Sequence, residues 1–230
     1  MASDGCAVAG RWEQLLTSSS GTPRRVVLLA GPSGSGKSRV ARLAQCPSLN
    51  LDDFYYDADH PDLPPLTGAP RTDKGIALGA DQIDWDDPRT WDSAAAVAAV
   101  DQLLRTGVAE VPSYDISSSA RVGTHRVELG DTPCFLAEGV FGIEMADHCR
   151  AAGVEVDALF LDRPRPLVML LRFVRDVREH RKPLPILIRR GLALYRADKE
   201  LERRARAAGF QMVTLRRALQ ELSEVRSRRR

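Results

Sequence analysis

The 230-residue chain lacks several features that would place it in other classes of protein. It has no apolar stretch near the ~20 residues that a membrane span needs, and no apolar run of signal-peptide length follows its first residues. We therefore expect a soluble, cytoplasmic protein. Its cysteines, at positions 6, 46, 134 and 149, have neither C-x-x-C spacing nor a zinc-like spacing with histidine, so neither a disulfide framework nor a zinc site is expected.

Charge is distributed unevenly along a chain whose net charge is only +2. Residues 1–162 contain 24 acidic and 13 basic side chains, whereas residues 163–230 contain 7 and 20, histidine not counted. A basic C-terminal third is typical of solvated helices, of proteins that bind nucleic acid or anionic lipid, and of enzymes that hold polyphosphates. Charge alone leaves all three interpretations open.

Short apolar runs alternate with helical patterns. RRVVLLAG, LNLD, PCFLAEG and VDALFLD are typical of buried strands, and AEVPSYD with THRVEL predicts a hairpin. Helical spacing of apolar residues occurs in KSRVARLAQC, DSAAAVAAVDQLLRTG, PLVMLLRFVRDVREHR and residues 215–228. In DSAAAVAAVDQLLRTG, Asp92 or Ser93 is the expected N-cap. The alternation predicts an α/β fold with a mostly parallel sheet.

The segment GPSGSGKS, Gly31 to Ser38, matches the phosphate-loop pattern G-x-x-x-x-G-K-[ST] between a predicted strand and a predicted helix. Its glycines let the backbone amides point inward at phosphate oxygens, and the helix N-terminus adds partial positive charge. In such a loop Lys37 reaches the terminal phosphates and the Ser38 hydroxyl ligates Mg²⁺. We expect ATP and Mg²⁺ as cofactors, with the nucleotide bound by Gly31, Ser33, Gly34, Ser35, Gly36, Lys37, Ser38 and Arg39.

Three classes of phosphate-loop protein compete: a small-molecule kinase, a GTPase switch, and a motor-like or transporter ATPase. The single asparagine, Asn50, is followed by Leu51 and no T-K-x-D occurs, so the guanine-binding signature of GTPases is missing, as is the transporter signature LSGGQ. A kinase needs an acid at the end of the second strand, where it can receive the proton of an acceptor hydroxyl. Asp52 lies there, and Asp53 is interpreted as a cap or solvated neighbour.

From about Val26 to Arg190 the chain resembles the uridine kinase and phosphoribulokinase family. LDDFYYD is similar to the family's D-S-F-Y, DWDDPRTWD to N-F-D-H-P-x-A-F-D, and VPSYDISSSAR to P-x-Y-D-F-x-x-H-x-R. FLAEGVF is similar to the family's F-E-G-I-L. LFLDRP is similar to V-D-T-D, and the segment RFVRDVREHRK that follows is similar to R-x-L-R-D-x-x-x-R-G-R. Each later motif is weak alone, but their order behind a phosphate loop is specific.

The resemblance implies roles for the matched residues. Asp52 would act as the acceptor-orienting acid, and Glu138 as a metal-associated acid at the end of a buried strand, where α/β sites collect. Arg172 and Arg175, three residues apart on one helix face, would clamp the triphosphate. The catalytic set is thus Asp52, Lys37, Arg172 and Arg175; the metal set is Ser38, Glu138 and Asp52; and the acceptor set is Tyr55, Asp86, Tyr114 and Arg121, with Asp86 on the sugar hydroxyls.

Some positions depart from the family pattern. Ser119 stands where the family has the histidine that reads the pyrimidine edge, and Ile116 replaces the neighbouring phenylalanine. Residues 58–80 form an apparent insertion rich in Pro, Gly and Asp. The favoured acceptor is the 5′-OH of uridine or cytidine. A pantothenate-like or sugar-like alcohol stays open, as does a different class, a regulatory or nucleic-acid-associated ATPase.

The expected organisation has three parts. Residues 1–22 form a flexible leader or short helix, residues 23–214 a phosphate-loop kinase domain with a five-stranded sheet between helices, and residues 215–230 an amphipathic helix with a basic tail. Within the domain, residues 53–130 form the acceptor side and residues 163–190 an arginine-rich lid. The expected partner is a small hydroxyl-bearing molecule; nucleic acid and membranes are not expected, and a homo-oligomer is compatible with the sequence.

Overall fold

The computed structural model describes residues 24–66, 79–80, 82–178 and 184–227. The predicted leader, residues 1–22, and the end of the basic tail, residues 228–230, lie outside these ranges. Much of the predicted insertion, and residues 179–183 of the predicted lid, also lie outside them.

The described residues form two sheets. The strands are β1 (Arg25–Ala30), β2 (Ser48–Asn50), β3 (Val108–Asp115), β4 (Ala120–Glu128), β5 (Cys134–Glu138), β6 (Val156–Leu161) and β7 (Gln211–Val213). The main sheet has the order β2-β5-β1-β6-β7, and all its neighbouring strands are parallel. β3 and β4 form a separate antiparallel hairpin. The predicted α/β fold with a five-stranded parallel sheet is confirmed.

Helices cover both faces of the main sheet. They are α1 (Lys37–Ala44), α2 (Ser93–Thr106), α3 (Gly142–Ala151), α4 (Arg165–Arg178), α5 (Leu184–Ala207) and α6 (Leu215–Ser227). Alternate residues of the central strand β1 enter two separate cores: Leu28 packs with α2 and α3, whereas Leu29 packs with α1 and α6. This explains why β1 and β5 are continuously apolar, since parallel strands covered on both sides have no solvent face. None of the described helices combines the length and apolarity that a membrane crossing requires.

Local signals set the bounds of α2. The Asp92 side chain accepts a 3.0 Å hydrogen bond from the Ala95 amide, which caps the first turn. Gly107 ends the helix in the left-handed conformation, with φ 76°. Asp92, one of the two predicted N-caps, is confirmed, and the chain then turns directly into the β3–β4 hairpin.

Two details of the main sheet differ from expectation. The predicted strand LNLD ends at Asn50, and Leu51–Phe54 form a short 3₁₀ helix because the Asn50 side chain accepts a hydrogen bond from the Asp52 amide at 3.2 Å. The sequence does not predict the edge strand β7, because three residues carry too little periodicity to indicate a strand. The first difference matters for the site, since Asp52 projects from a turn of helix.

Candidate active site

The phosphate loop lies between β1 and α1, at the carboxyl edge of the main sheet. Gly31, Gly34 and Gly36 have φ values of 150°, 80° and 100°, which favour glycine. Lys37 is only 6% exposed, and its Nζ donates to the carbonyl oxygens of Gly31 at 2.9 Å and Pro32 at 3.3 Å. The ammonium group is therefore held against the loop.

Ser38 and Glu138 meet because β1 and β5 are neighbouring strands. Ser38 Oγ donates a 2.5 Å hydrogen bond to Oε1 of Glu138, the last residue of β5. Burial raises the pKa of Glu138, and the nearby Lys37 charge and the Ser38 hydrogen bond lower it in part. Burial thus makes a cation beside this carboxylate favourable.

The Ser38–Glu138 pair fits a magnesium ion. Mg²⁺ takes oxygen ligands, usually one or two carboxylates completed by substrate phosphates and water. A hydroxyl and a carboxylate beside a phosphate loop supply that set. Within the described ranges, no group of three His, Cys, Asp or Glu side chains is arranged to hold a metal by itself.

Asp52 lies next to this pair. Its Oδ1 accepts a 3.0 Å hydrogen bond from the Val140 amide, two residues beyond Glu138. The intervening Gly139 permits the approach, since a Cβ there would lie 2.8 Å from Asp52 Oδ1 and 2.7 Å from Leu51 Cβ. The Asp52 and Glu138 carboxylates also repel each other electrostatically, which raises the pKa of Glu138. Two acids therefore share the carboxyl end of β5 with Ser38.

Asp53 faces a different part of the molecule. It is half-buried, and its Oδ1 lies 3.5 Å from the Tyr114 amide nitrogen at the base of the hairpin turn. Burial raises its pKa, opposed by the Tyr114 amide and the charge of His125. The two adjacent aspartates thus point to separate elements, Asp52 to the end of β5 and Asp53 to β3.

Two predicted arginines of α4 contact the phosphate loop. Arg172 is 3% exposed, and its Nε donates to the Ser33 carbonyl oxygen at 2.9 Å. Arg175 Nη1 donates to Ser33 Oγ at 3.2 Å. The approach is close at Gly34, where a Cβ would lie 3.1 Å from Arg172 Cβ. In this arrangement Arg172 supports the loop backbone, while Arg175 is half-buried beside it.

Sequence reasoning missed three residues near the loop. Arg163 Nη1 donates to the Ser35 carbonyl oxygen at 3.1 Å, and Asp198 pairs with the buried Arg172. Gly139 was also passed over, although a glycine directly after a strand-ending acid is a signal for close backbone approach. Arg163 stands in the quoted LFLDRP segment and could have been found. Asp198 lies within a charged helical stretch and gave no signal.

Four aromatic rings gather on the predicted acceptor side. Tyr55 lies 5.6 Å from Trp85, 5.4 Å from Tyr114 and 5.4 Å from Phe141, centroid to centroid. Tyr55 also donates from its hydroxyl to the Trp85 carbonyl oxygen at 3.1 Å. The predicted acceptor residues Tyr55 and Tyr114 are therefore brought together, and the rings of Trp85 and Phe141 pack against Tyr55.

The Tyr114 hydroxyl is a buried polar group in this cluster. It forms no hydrogen bond of normal geometry with a described residue. Burial raises the pKa of Tyr114 to about 12. The nearby Ser119 hydroxyl lowers this pKa in part, but its geometry falls short of a regular hydrogen bond. A buried hydroxyl without a good partner is costly, so this group is available to a polar atom of a ligand.

Arg121 and Asp86 are placed differently from Tyr55 and Tyr114. Arg121 fastens the hairpin to the chain before it, through Nε to the Tyr55 carbonyl at 3.0 Å and Nη2 to Asp92 at 3.3 Å. Its amide donates to Asp57 at 2.7 Å. Asp86 is exposed in the loop that carries Trp85. Arg121 thus has clear structural contacts, and the substrate roles of both residues stay predictions.

The hairpin tip differs from a base-reading surface. Ile116 is 55% exposed, and Asp115 organises the turn through hydrogen bonds from Ser117 and Ser118. Ser119 has φ 53°, and its carbonyl accepts from the Ala58 amide at 2.9 Å. Ser119 is therefore occupied in shaping the turn.

An open groove of about 1110 Å³ lies at the amino edge of the main sheet, remote from the phosphate loop. Arginines line it, but Arg25 pairs with Asp157 and Arg150 pairs with Asp147. Because these charges are balanced by neighbouring acids, the carboxyl edge is the better candidate for an active site.

Known proteins resemble this chain only distantly. No protein-family model matches the chain. The chain is 23% identical over 178 residues to a uridine kinase from Aeromonas salmonicida, an alignment that covers 71% of this chain and 73% of that protein. The chain is a distant homologue of uridine kinase. The predicted resemblance is confirmed at that level.

Solved structures give the fold. A candidate fructose transport system kinase from Silicibacter sp. TM1040 superimposes with a TM-score of 0.53 at 17% identity, covering 84% of this chain and 92% of that chain. A candidate uridine kinase from Bacillus stearothermophilus overlaps less, with a TM-score of 0.43 at 18% identity over 73% of this chain and 86% of that chain. The first of these has the same fold, which agrees with the predicted α/β sandwich of a parallel sheet between helices.

Proposed function

We propose that the protein is a kinase that transfers the γ-phosphoryl group of ATP to a hydroxyl of a small molecule. One observation carries the proposal: Asp52 is held by the Val140 amide beside Glu138, whose carboxylate binds Ser38 of the phosphate loop. An acid suited to take a proton thus lies next to groups suited to hold a metal and a polyphosphate.

The transfer follows from these groups. The acceptor oxygen forms a bond to the γ-phosphorus as the bond from that phosphorus to the β–γ bridging oxygen breaks, and ADP leaves with the electron pair. Asp52 accepts the proton of the acceptor hydroxyl. Lys37, the loop amides and Arg175 stabilise the negative charge on the phosphoryl oxygens. Mg²⁺, held by Ser38 and Glu138, would supply further charge neutralisation.

The aromatic cluster and the similarity to a uridine kinase support uridine or cytidine as acceptor. Tyr55, Trp85 and Tyr114 offer flat surfaces for a ring, and the Tyr114 hydroxyl offers a polar contact. Asp86 is proposed to bind the sugar hydroxyls. A second acceptor class, a sugar-like or pantothenate-like alcohol, is favoured by Ser119, because a side chain in a tight turn cannot replace an imidazole that reads a base edge.

The nucleic-acid-associated alternative receives less support from the basic C-terminal third. Several of its described arginines pair with acids, as in Arg203–Glu200, Arg206–Glu202 and Arg217–Glu221. Each of these pairs lies within one helix, at the spacing that stabilises a solvated surface. A free phosphate-binding stripe would instead present arginines without acidic neighbours.

The test is a screen for ADP release with ATP, Mg²⁺ and one candidate acceptor at a time: uridine, cytidine, a hexose or pantothenate. We expect turnover that depends on one acceptor class and yields its phosphate ester. A reaction without acceptor measures background, and added RNA tests the alternative class. ADP release that ignores every acceptor and rises with RNA would overturn the proposal.

A further inference from the structure

A buried ion pair joins α4 and α5 beside the phosphate loop. Arg172 Nη2 of α4 lies 3.3 Å from Asp198 Oδ1 of α5, and the two side chains are 4% and 5% exposed. The same guanidinium donates through Nε to the Ser33 carbonyl oxygen at 2.9 Å. One arginine therefore connects the carboxylate of α5 to the backbone of the phosphate loop.

The two charges depend on each other. A guanidinium or carboxylate removed from water without a counter-charge is strongly unfavourable. Among the described residues, Asp198 is the acid that the structure pairs with Arg172. Burial raises the pKa of Asp198, and the charge and hydrogen bond of Arg172 lower it in part. Loss of Asp198 would leave the buried Arg172 without this counter-charge, so the arginine would move.

The pair also leaves bonding capacity unused. Arg172 Nη1 and Asp198 Oδ2 are both buried and form no hydrogen bond with a described residue. Two of the three guanidinium nitrogens donate hydrogen bonds, Nη2 to Asp198 and Nε to the Ser33 carbonyl oxygen. These bonds fix the guanidinium plane, and Nη1 stays available as a donor. Phosphate oxygens are the acceptors that a neighbouring phosphate loop would bring.

The packing at Gly34 makes the position of α4 sensitive. A Cβ at Gly34 would lie 3.1 Å from Arg172 Cβ and 3.2 Å from its Cα, so the helix backbone rests on the loop. A shift of α4 would move Arg172 together with Arg175, which lies one turn further along the helix and contacts Ser33 Oγ at 3.2 Å. Small displacements of charge-stabilising groups can reduce turnover by about 10²-fold.

We propose that Asp198 is a positioning residue that holds Arg172, and through it α4, in register with the phosphate loop. Asp198 need not touch the nucleotide; it orients the arginines that do. The proposal rests on the proposed kinase function for its catalytic consequence, whereas its effect on nucleotide affinity requires only a working phosphate loop.

The test is a double-mutant cycle with Asp198→Asn, Arg172→Met and the double variant, measured by calorimetric titration of ADP with Mg²⁺ and by acceptor-dependent ADP release. We expect each single variant to weaken ADP binding about tenfold and to lower kcat by about 10²-fold. Because Asp198 acts through Arg172, the double variant should match Arg172→Met within about twofold. Glu200→Gln, an exposed acid on α5 paired with Arg203, is the matched control and should leave both quantities unchanged.

The outcomes separate cleanly. Losses that multiply in the double variant, or an Asp198→Asn protein with wild-type affinity and kcat, overturn the positioning role. If Asp198→Asn does not fold, the double variant Arg172→Met with Asp198→Leu replaces it and is compared with Arg172→Met alone. A further loss of ADP affinity or kcat beyond twofold in that double variant would also overturn the positioning role. A wild-type protein that binds ADP but shows no acceptor-dependent turnover refutes the kinase proposal alone, and the ADP cycle still decides the role of Asp198.

Discussion

The phosphate-loop side and the proposed acceptor side of the candidate site are built in different ways. The phosphate-loop side comes from one continuous segment, Gly31 to Ser38, joined by Glu138 from the neighbouring strand. The acceptor side draws Tyr55, Trp85 and Tyr114 from three separate segments, two of them loops or turns. The first depends on local backbone geometry, the second on how distant elements pack.

This difference predicts that the two sides can be altered independently. Backbone amides and a lysine bind phosphate in the same way whatever the acceptor is, so the nucleotide site can stay constant while loops change specificity. Variants near the phosphate loop should change nucleotide affinity. Variants in the aromatic cluster should change KM for the acceptor and leave ADP binding intact.

The largest effect should come from Lys37→Ala, which removes the buried ammonium of the phosphate loop. We expect kcat to fall about 10³-fold, the loss typical of one preorganised charge-stabilising donor, and ADP affinity to fall about tenfold. Calorimetry and ADP release measure the two. Lys199→Ala, an exposed lysine on α5, is the control. Unchanged ADP affinity in Lys37→Ala would contradict the assignment of the nucleotide site.

A smaller effect, on stability, is expected for Arg121→Ala, because this side chain fastens the hairpin to the Tyr55 carbonyl and to Asp92. Loss of the network should cost about 2 kcal/mol and lower Tm by about 4–8 °C. Thermal melts measure this, with Arg126→Ala, an exposed arginine of β4, as control. A wild-type Tm with a much higher acceptor KM would assign Arg121 to substrate binding instead.

Tyr114→Phe should act on the acceptor side alone. The variant removes a buried hydroxyl that lacks a regular hydrogen bond, so Tm should stay the same or rise slightly. If the hydroxyl binds the acceptor, KM should rise up to about tenfold, the value of one hydrogen bond. Steady-state kinetics with the acceptor found in the screen measure it. Tyr56→Phe is the comparison, since the Tyr56 ring stacks on His60, at 4.3 Å between centroids, and not on the aromatic cluster. A change in ADP affinity would break the separation of the two sides.

The smallest effect concerns Glu138 and pH. Burial raises the folded pKa above its ordinary value of 4.5, so the folded state holds this proton more tightly than the unfolded chain. Stability from this group is therefore highest at low pH and is lost as pH rises through the folded pKa. Glu138→Gln removes the buried charge and should raise Tm at pH 8 by about 2–4 °C, the shift from about 1 kcal/mol.

Thermal melts from pH 5 to pH 8 without nucleotide or metal test this sign. The gap between Glu138→Gln and wild type should narrow as pH falls, because wild-type Glu138 then becomes protonated. Glu155→Gln, an exposed acid, should show no such trend. A Tm for Glu138→Gln that lies below wild type at pH 8 would mean that the ionised carboxylate stabilises the apo-protein.

The sequence predicted the parts of the fold that depend on local signals. The phosphate loop, the Asp92 cap and the continuously apolar strands each follow from residue type and spacing, and the structure has them. β7 was missed because its three residues carry no period, and Asp52 was placed on a strand because the Asn50 side chain that caps the 3₁₀ helix left no distinctive pattern.

The candidate site divides in the same way. The contacts of Lys37 and Ser38 could be anticipated, since a motif places them on one short loop. The Arg172–Asp198 pair could not, because its partners lie 26 residues apart on two helices whose packing is a tertiary property. Arg121 was assigned by motif to the substrate, whereas its contacts with Tyr55 and Asp92 arise only once the hairpin folds back.

Replacement of Asp52 tests the kinase account most directly, with Asp53→Asn as the adjacent matched variant. Asp52→Asn should lower acceptor-dependent ADP release by about 10³-fold, within the range for loss of a general base, while ADP affinity stays within about threefold of wild type. Asp53→Asn, which contacts the hairpin instead, should retain turnover within about tenfold. An Asp52→Asn protein that keeps more than a tenth of wild-type turnover would contradict the account.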